Sequence, residues 1–207
     1  GAVLGLSGAV LQGYLRNPLA DPALIGVSST AGLGAVAALL LGFAGAPLVL
    51  FGSAMAGAGA AVLLLGLLVG RSGSALAFIL AGTVLQSLAG ALTAFLISVA
   101  PNPYAMSEAI GWMMGALTDR SMDDVARGLP FMAAGTAVLA TTGRSLDALS
   151  LGEEAARSLG LRLGRLQALI ALGVGLSVGA AVAVSGVVGF VGLIVPHLVR
   201  PLVGQKP

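Results

Sequence analysis

The sequence contains no cysteine and very little charge, and each absence excludes a class of function. Without cysteine there is no disulfide framework, no thiolate metal centre and no cysteine nucleophile. Only 9% of the 207 residues are charged, compared with about a quarter in an ordinary soluble domain. The ten basic and eight acidic residues are too few and too scattered to form a phosphate-binding face, so nucleic acid is not an expected partner.

The sequence also lacks a recognisable catalytic set. His197 is the only histidine, and it has no carboxylate at metal-ligand spacing. No glycine-rich loop ending in GK[ST] is present, so this chain cannot itself hydrolyse ATP by the P-loop route. We therefore expect no enzyme activity, no metal centre and no cofactor.

What the sequence does contain is long uncharged apolar stretches. A helix needs about 20 apolar residues to cross a hydrocarbon core of about 30 Å. Charges, prolines and glycine pairs divide the chain into seven candidate spans, at 1–16, 28–44, 47–70, 75–99, 128–143, 166–186 and 188–203. The apolar segment 107–117 is too short to cross alone and is predicted to be re-entrant or to lie flat. These patterns predict an all-α polytopic transmembrane bundle that forms a single domain over 1–207.

The basic residues predict which way the bundle faces, because Lys and Arg near span ends are retained on the cytoplasmic side. If the spans alternate, only Arg120 and Arg127 fall on the outer side. The other eight are predicted to be cytoplasmic: Arg16, Arg71, Arg144, Arg157, Arg162, Arg165, Arg200 and Lys206.

This orientation places the segment RNPLADP, residues 16–22, on the cytoplasmic face after the first span. Pro18 and Pro22 forbid continuation of the helix and favour extended backbone before them. We expect a rigid corner, with Ser28 or Ser29 as the cap of the next helix.

The longest polar segment, 144–165, has helical periodicity from Ser150 onward. The period places Leu151, Ala155, Ser158 and Leu159 on one face and Glu153, Glu154 and Arg157 on the other, with Gly160 as the C-terminal cap. Such a helix can lie on lipid headgroups or dock in a groove of a soluble partner, and the periodicity alone favours neither.

Single polar residues within apolar windows are candidates for interior positions. Gln12 and Gln86 each need a partner in a neighbouring helix or a water-filled cavity, which makes them possible pathway residues. His197 and Arg200 share a helical face near the cytoplasmic boundary, where snorkelling is the simpler explanation and a functional pair the alternative. Trp112 is predicted to be an interfacial anchor.

Five blocks together resemble one known family. They are SGAVLQGYLRNPLADPALIGVSSTAGLGA (7–35), LAGTVLQ (80–86), IGWMMGAL (110–117), LDALSLGEEAARSLGL (146–161) and SGVVGFVGLIVPHLVR (185–200). In this order and spacing they resemble the FecCD-type permeases of type II ABC importers. Members of that family carry iron–siderophore complexes, haem or cobalamin across the bacterial inner membrane.

The resemblance implies partners and site residues. The partners are cytoplasmic ABC ATPase subunits, an extracytoplasmic substrate-binding protein and a second permease subunit, identical or homologous, in contact with membrane lipid. The implied cytoplasmic gate comprises Asn17 and Leu19 in the elbow, with a second part at Ser74, Ala75 and Leu76. The implied ATPase-coupling helix lies within the loop 144–165 and comprises Leu151, Gly152, Glu153, Glu154, Ala155, Ala156, Leu159 and Gly160.

The resemblance also implies alternating-access transport driven by the ATPase. Counted against the family, the chain covers spans two to eight of ten. The alternative is a secondary transporter or channel without an ATPase. Ion-coupled carriers usually need acidic residues at membrane depth, whereas all eight acidic residues here map to loops or span edges.

Overall fold

Ten α-helices make up the chain in the computed structural model, which describes residues 1–70 and 74–203. No strand occurs among those residues, so the prediction of an all-α bundle is confirmed. The helices are α1 (Ala2–Leu15), α2 (Val27–Leu40), α3 (Pro47–Val69), α4 (Ala75–Ser98), α5 (Pro103–Met114), α6 (Met122–Ala140), α7 (Gly143–Ser150), α8 (Glu153–Ser158), α9 (Leu163–Ser185) and α10 (Val191–Val203). A short 3₁₀ helix, Pro22–Ile25, precedes α2. Arg71 and Lys206 of the orientation prediction lie outside the described residues.

Three helices within the described part of the chain are long and apolar enough to cross a membrane: α3, α4 and α9. Each has 23 or 24 residues, and at about 1.5 Å per residue this length covers a core of about 30 Å. Their bounds agree within three residues with the spans predicted at 47–70, 75–99 and 166–186. The helices α1, α2 and α10 have 13 or 14 residues and are too short to cross unaided.

The helix α6 begins six residues before the predicted span at 128–143 because its N-terminus is capped. Ser121 Oγ accepts the backbone N–H of Asp124, and the Asp124 carboxylate accepts the backbone N–H of Ser121. On the same side, α5 begins at Pro103 behind an Asn102 cap, four residues before the predicted short helix at 107–117. Local side-chain caps therefore set both boundaries, which hydropathy alone does not reveal.

The helix α9 forms the centre of the bundle. Of its most apolar window, 72% is buried, compared with 28% for α3 and 22% for α4. A Cβ atom on Gly173, Gly175 or Gly179 would overlap side chains of α6 or α3, so small residues let the three helices approach closely.

The segment 17–26 is re-entrant: residues 17–19 of the predicted corner are exposed, whereas Ala20 and Pro22 are buried. A Cβ atom on Gly192 of α10 would overlap Pro22, and Gly192 itself packs against Gly8, two turns before the end of α1. Gly26, at φ 75°, packs against Gly82 of α4. The chain therefore turns back into the bundle after α1, and α2 starts in the interior rather than at the surface.

This re-entrant backbone is tolerated because protein surrounds it and its polar groups find partners. Asp21 Oδ1 accepts the backbone N–H of Ala23 at 2.8 Å and caps the 3₁₀ helix. The start of α2 has Gly26 at the cap position and no side-chain cap, so the predicted role of Ser28 or Ser29 is wrong. The helix α2 begins one residue before the span predicted at 28–44 and ends four residues before its predicted end, at Leu40.

Candidate functional site

Asn17 holds the first turn of the elbow, which presents Leu19 outward. The Asn17 side-chain oxygen accepts the backbone N–H of Leu19 at 2.9 Å, and its carbonyl oxygen accepts that of Ala20 at 3.1 Å. Ala20 is fully buried, whereas the Leu19 side chain is 71% exposed. An asparagine that bonds its own backbone two residues on makes such a turn rigid. The turn thus fixes one exposed apolar side chain beside the end of α1.

Gln12 ties the elbow to α10. This residue is 3% exposed, and its Nε2 donates to the Ala20 carbonyl at 3.3 Å and to the Leu193 carbonyl at 3.5 Å. Its Oε1 has no hydrogen-bond partner among the described atoms. The other predicted pathway amide, Gln86, is half-buried on α4. The two amides therefore occupy different surroundings: Gln12 donates hydrogen bonds to both the elbow and α10, whereas Gln86 lies half-buried on α4.

A cleft of about 500 Å³ lies between the end of α1, the elbow, α7 and α10. The polar residues that line it are Gln12, Arg16, Asn17, Ser150, His197 and Arg200. The cleft thus brings the His197 and Arg200 pair next to the elbow. Ser74, Ala75 and Leu76 do not line it in the part of the chain that the structure describes; they start α4, where Ser74 Oγ accepts the backbone N–H of Ala77.

The loop 144–165 forms two short helices rather than the one predicted from Ser150 onward. The break is at Gly152, whose φ of 104° lies in a region that side-chain-bearing residues rarely adopt. The predicted end of the second helix is correct, because Gly160 follows it at φ 86°. A glycine directly before two glutamates is typical of a helix start, so the sequence did contain a signal for this break.

The loop has an anchored side and an exposed side. Leu146 and Leu149 of α7 and Ala156 of α8 are buried against the bundle. Leu151 and Leu159 are each 68% exposed, and Glu154 is exposed between them in the sequence. The predicted apolar face of Leu151, Ala155 and Leu159 therefore points away from the core, although Ala155 is half-buried.

The elbow and the loop meet through a shared carboxylate. Glu153 Oε1 lies 3.8 Å from the Arg16 guanidinium, and its Oε2 lies 3.7 Å from that of Arg157. All three side chains are partly exposed. The contact places the elbow and the loop on the same side of the bundle, as the orientation prediction requires.

The outer arginines border a second cavity of about 470 Å³ between α2, α3, α5, α6 and α9. Arg127 forms an ion pair with Asp124 at 2.8 Å, and the Arg120 guanidinium lies 5.3 Å from the centre of the Trp112 ring. The backbone N–H of Ser121, together with its hydroxyl and the two arginines, lowers the pKa of the Asp124 carboxyl below its usual value. Trp112 is half-buried beside this charged rim.

An interior contact that the sequence does not reveal positions α1. The Tyr14 hydroxyl lies 3.3 Å from Gln167 Oε1 in α9, and the Tyr14 ring meets the Phe78 ring of α4 edge to face at 5.7 Å. Tyr14 and Phe78 are both buried. The sequence separation of Tyr14 and Phe78 does not indicate this contact, because α1 and α4 are not consecutive in the chain.

The helical bundle, with its re-entrant elbow and its anchored two-helix loop on the same side, has the architecture of an ABC importer permease. The chain belongs to the FecCD transport family, whose model matches residues 1–207. The resemblance inferred from the five sequence blocks is thereby confirmed.

Relatives and a solved structure agree with this assignment. The chain is 41% identical over 99% of its length to the cobalamin import system permease protein BtuC of Halobacterium salinarum, and covers 55% of that protein. It is 34% identical over 99% of its length to the hemin transport system permease protein HmuU of Yersinia pestis, and covers 62% of it. A structure described as an inward-facing conformation of a metal-chelate type ABC transporter superposes with a TM-score of 0.91 at 34% identity, over all of this chain and 66% of the other. The chain thus spans less than two thirds of the length of these relatives.

Proposed function

We propose that the chain is the membrane-spanning permease of an ABC importer, which moves a cobalamin, haem or iron–siderophore type of metal chelate across the bacterial inner membrane by alternating access. The observation that carries this proposal is the loop at 151–160, which presents exposed leucines on an anchored base directly beside the elbow. The cobalamin and hemin permeases among the relatives support the class of cargo. ATP hydrolysis belongs to separate cytoplasmic ATPase subunits.

The loop favours docking to a protein over lying on lipid. Leu151 and Leu159 are exposed, whereas Leu146, Leu149 and Ala156 of the same loop are buried against the bundle. The two exposed leucines therefore belong to a loop that is packed in place. Glu153 and Glu154 stand in the first turn of α8 beside these leucines. Carboxylates there would face the anionic headgroups of the cytoplasmic leaflet, which is unfavourable. A groove on an ATPase subunit accepts exposed apolar anchors flanked by charge.

Next to the docking surface, the elbow provides the proposed cytoplasmic gate. The exposed Leu19 side chain is held by the turn that Asn17 stabilises. A side chain can close a transport path only if its backbone is held rigidly, and this turn holds it. The second part of the gate, Ser74, Ala75 and Leu76, lies at the start of α4 on the same side of the bundle. Movement of the loop would open or close this gate by rigid-body displacement.

The remaining surfaces suit the other expected partners. Along α4 runs an exposed apolar ridge that faces lipid or the second permease subunit: Leu76, Leu80, Val84, Leu88, Leu92 and Phe95. Gln86 lies on the same helix and stays a candidate for the pathway. On the outer side, Arg120 and Arg127 are available to an extracytoplasmic substrate-binding protein.

Co-purification with the ATPase encoded beside this gene tests the docking proposal. We expect the ATPase to co-purify from detergent with the tagged permease, and Ala155→Arg, Glu154→Lys or Leu159→Glu to release it. Leu159 is the most informative position, since its exposure means that the substitution leaves the fold intact. The matched control is Ala140→Arg, an exposed position at the end of α6 on the same side but outside the loop.

Retention of the ATPase by all three variants, at wild-type yield, would refute docking at 151–160. Release by Ala140→Arg as well would mean that any added charge on this face disrupts the complex, which also removes the support for a specific site. Membrane insertion of every variant is verified by its yield in the detergent extract.

A further inference from the structure

Glu153 is the first residue of α8, and its carboxylate lies between two arginines from different parts of the bundle. Its Oε1 lies 3.8 Å from Arg16, at the end of α1, and its Oε2 lies 3.7 Å from Arg157, one turn further along α8. One of these partners therefore moves with the loop, while the other belongs to the elbow.

Arg16 is directly joined to the gate turn. It ends α1 in the left-handed conformation, at φ 48°, and the next residue is Asn17, whose side chain holds Leu19. The far end of the same turn is fixed, because Gln12 bonds the carbonyl of Ala20. A pull on the Arg16 side chain thus acts at the other end of the turn, where the backbone N–H groups of Arg16 and Asn17 bond to the last turn of α1.

The helix α8 packs against the bundle through fewer buried residues than α7. It has six residues, only Ala156 among them is buried, and it is bounded by Gly152 and Gly160, both with positive φ. By contrast, α7 is held by two buried leucines. Glycines at both ends let α8 tilt without strain in side-chain-bearing residues.

We propose that the Arg16–Glu153 ion pair transmits the displacement of α8 to the gate turn, and that Arg16 and Arg157 compete for the Glu153 carboxylate as the transporter changes state. This proposal rests on the function proposed above. It assigns a positioning role to Arg16, which is not among the gate residues or the coupling-helix residues named above. An exposed pair at this distance contributes little to static stability. It can still shift a two-state equilibrium by up to about fivefold, which is enough to govern coupling.

The first test uses the permease assembled with its ATPase and binding protein in proteoliposomes, with the number of substrate molecules imported per ATP hydrolysed as the readout. We expect Arg16→Gln and Arg16→Glu to lower this ratio severalfold while the ATPase still co-purifies at wild-type yield. Arg16→Lys keeps the positive charge, so it should keep most of the wild-type ratio of substrate imported to ATP hydrolysed. The charge exchange Arg16→Glu with Glu153→Arg should perform better than Arg16→Glu alone.

The matched control is Arg144→Glu. It makes the same charge change as Arg16→Glu, at an arginine in the loop 144–165 that contains Glu153. Among the ion pairs of the described residues, none includes Arg144, so the ratio should stay at the wild-type value. An unchanged ratio in both Arg16→Gln and Arg16→Glu would overturn the proposal, and so would failure of the charge exchange to improve on Arg16→Glu.

A second test does not require transport and separates the two proposals. A double-mutant cycle of Arg16→Gln and Glu153→Gln, measured on unfolding of the permease alone, should show coupling at low salt that disappears at about 1 M salt. Absence of this coupling overturns the ionic link even if the ATPase docks. Failure of the wild-type permease to bind the ATPase, with the coupling present, overturns the importer function and the transmission role while leaving the contact itself established.

Discussion

Replacing Gln12 by methionine tests how firmly the re-entrant elbow is tied to α10. The substitution keeps the length of the side chain and removes the Nε2 that donates to the carbonyls of Ala20 and Leu193. Hydrogen bonds between membrane helices average about 0.6 kcal/mol, so two of them contribute about 1.2 kcal/mol. The buried Ala20 carbonyl loses a donor, which adds about 1 to 2 kcal/mol.

One term acts in the opposite direction. Gln12 Oε1 is buried without a hydrogen-bond partner among the described atoms, and its removal relieves about 1 kcal/mol. The net destabilisation is therefore about 1 to 2 kcal/mol. For a chain of this size about 1 kcal/mol shifts Tm by roughly 2 to 4 °C, so Gln12→Met should lower Tm by about 2 to 8 °C.

Gln12→Glu separates this explanation from simple loss of volume. It places a second acceptor oxygen where Nε2 faces two carbonyl oxygens, so it should cost clearly more than methionine. The assay is thermal unfolding in detergent, followed by the fluorescence of Trp112, the single tryptophan. A Tm loss below about 1 °C for Gln12→Met, or a Gln12→Glu variant as stable as Gln12→Met, would refute the assigned donor role.

Three further perturbations have expected outcomes by the same assay. Gly8→Leu should cost about 3 kcal/mol or more, because a Cβ there overlaps a backbone carbonyl of α10, whereas Gly52→Leu, which meets open space, should change stability by less than about 0.5 kcal/mol; equal effects would contradict the close approach. Phe78→Ala should cost about 3 kcal/mol and the 60% exposed Phe95→Ala far less, and a similar loss for both would show that the ring contact contributes nothing. Asp124→Asn should destabilise at pH 7, since the folded pKa of this carboxyl is lowered and its stabilisation is present above the unfolded pKa; the difference from wild type should shrink as pH falls below about 4, and a difference independent of pH would refute it.

Hydropathy was sufficient to predict the long helices but not the path of the chain between them. The spans at 47–70 and 75–99 agree with α3 and α4 within one residue, because continuous apolar stretches and flanking glycines or prolines determine their ends. The segment 17–26 contains a charge and two prolines, which predict a rigid corner. Its return into the bundle depends on partners from α1, α4 and α10, and local sequence cannot show those contacts.

The arrangement of the candidate site residues could not be predicted from the sequence. The resemblance placed the elbow and the loop in separate parts of the chain, and the structure brings Arg16 and Glu153 together. Leu151 and Leu159 are both exposed, as the predicted helical face requires, although the break at Gly152 places Leu151 after α7 and Leu159 after α8. The clamp by Gln12 could not be derived, since an amide in an apolar window is equally consistent with a pathway and with a structural contact.

ATP-dependent uptake by proteoliposomes tests the central claim most directly. The permease is reconstituted with the proposed ATPase and binding protein, and accumulation of radiolabelled cobalamin, haem and an iron–siderophore complex is measured with and without ATP. The account predicts that one of these chelates accumulates only when ATP and the ATPase are both present, and that Ala155→Arg abolishes the accumulation. Uptake driven by an ion gradient without the ATPase would contradict the account and identify a secondary transporter.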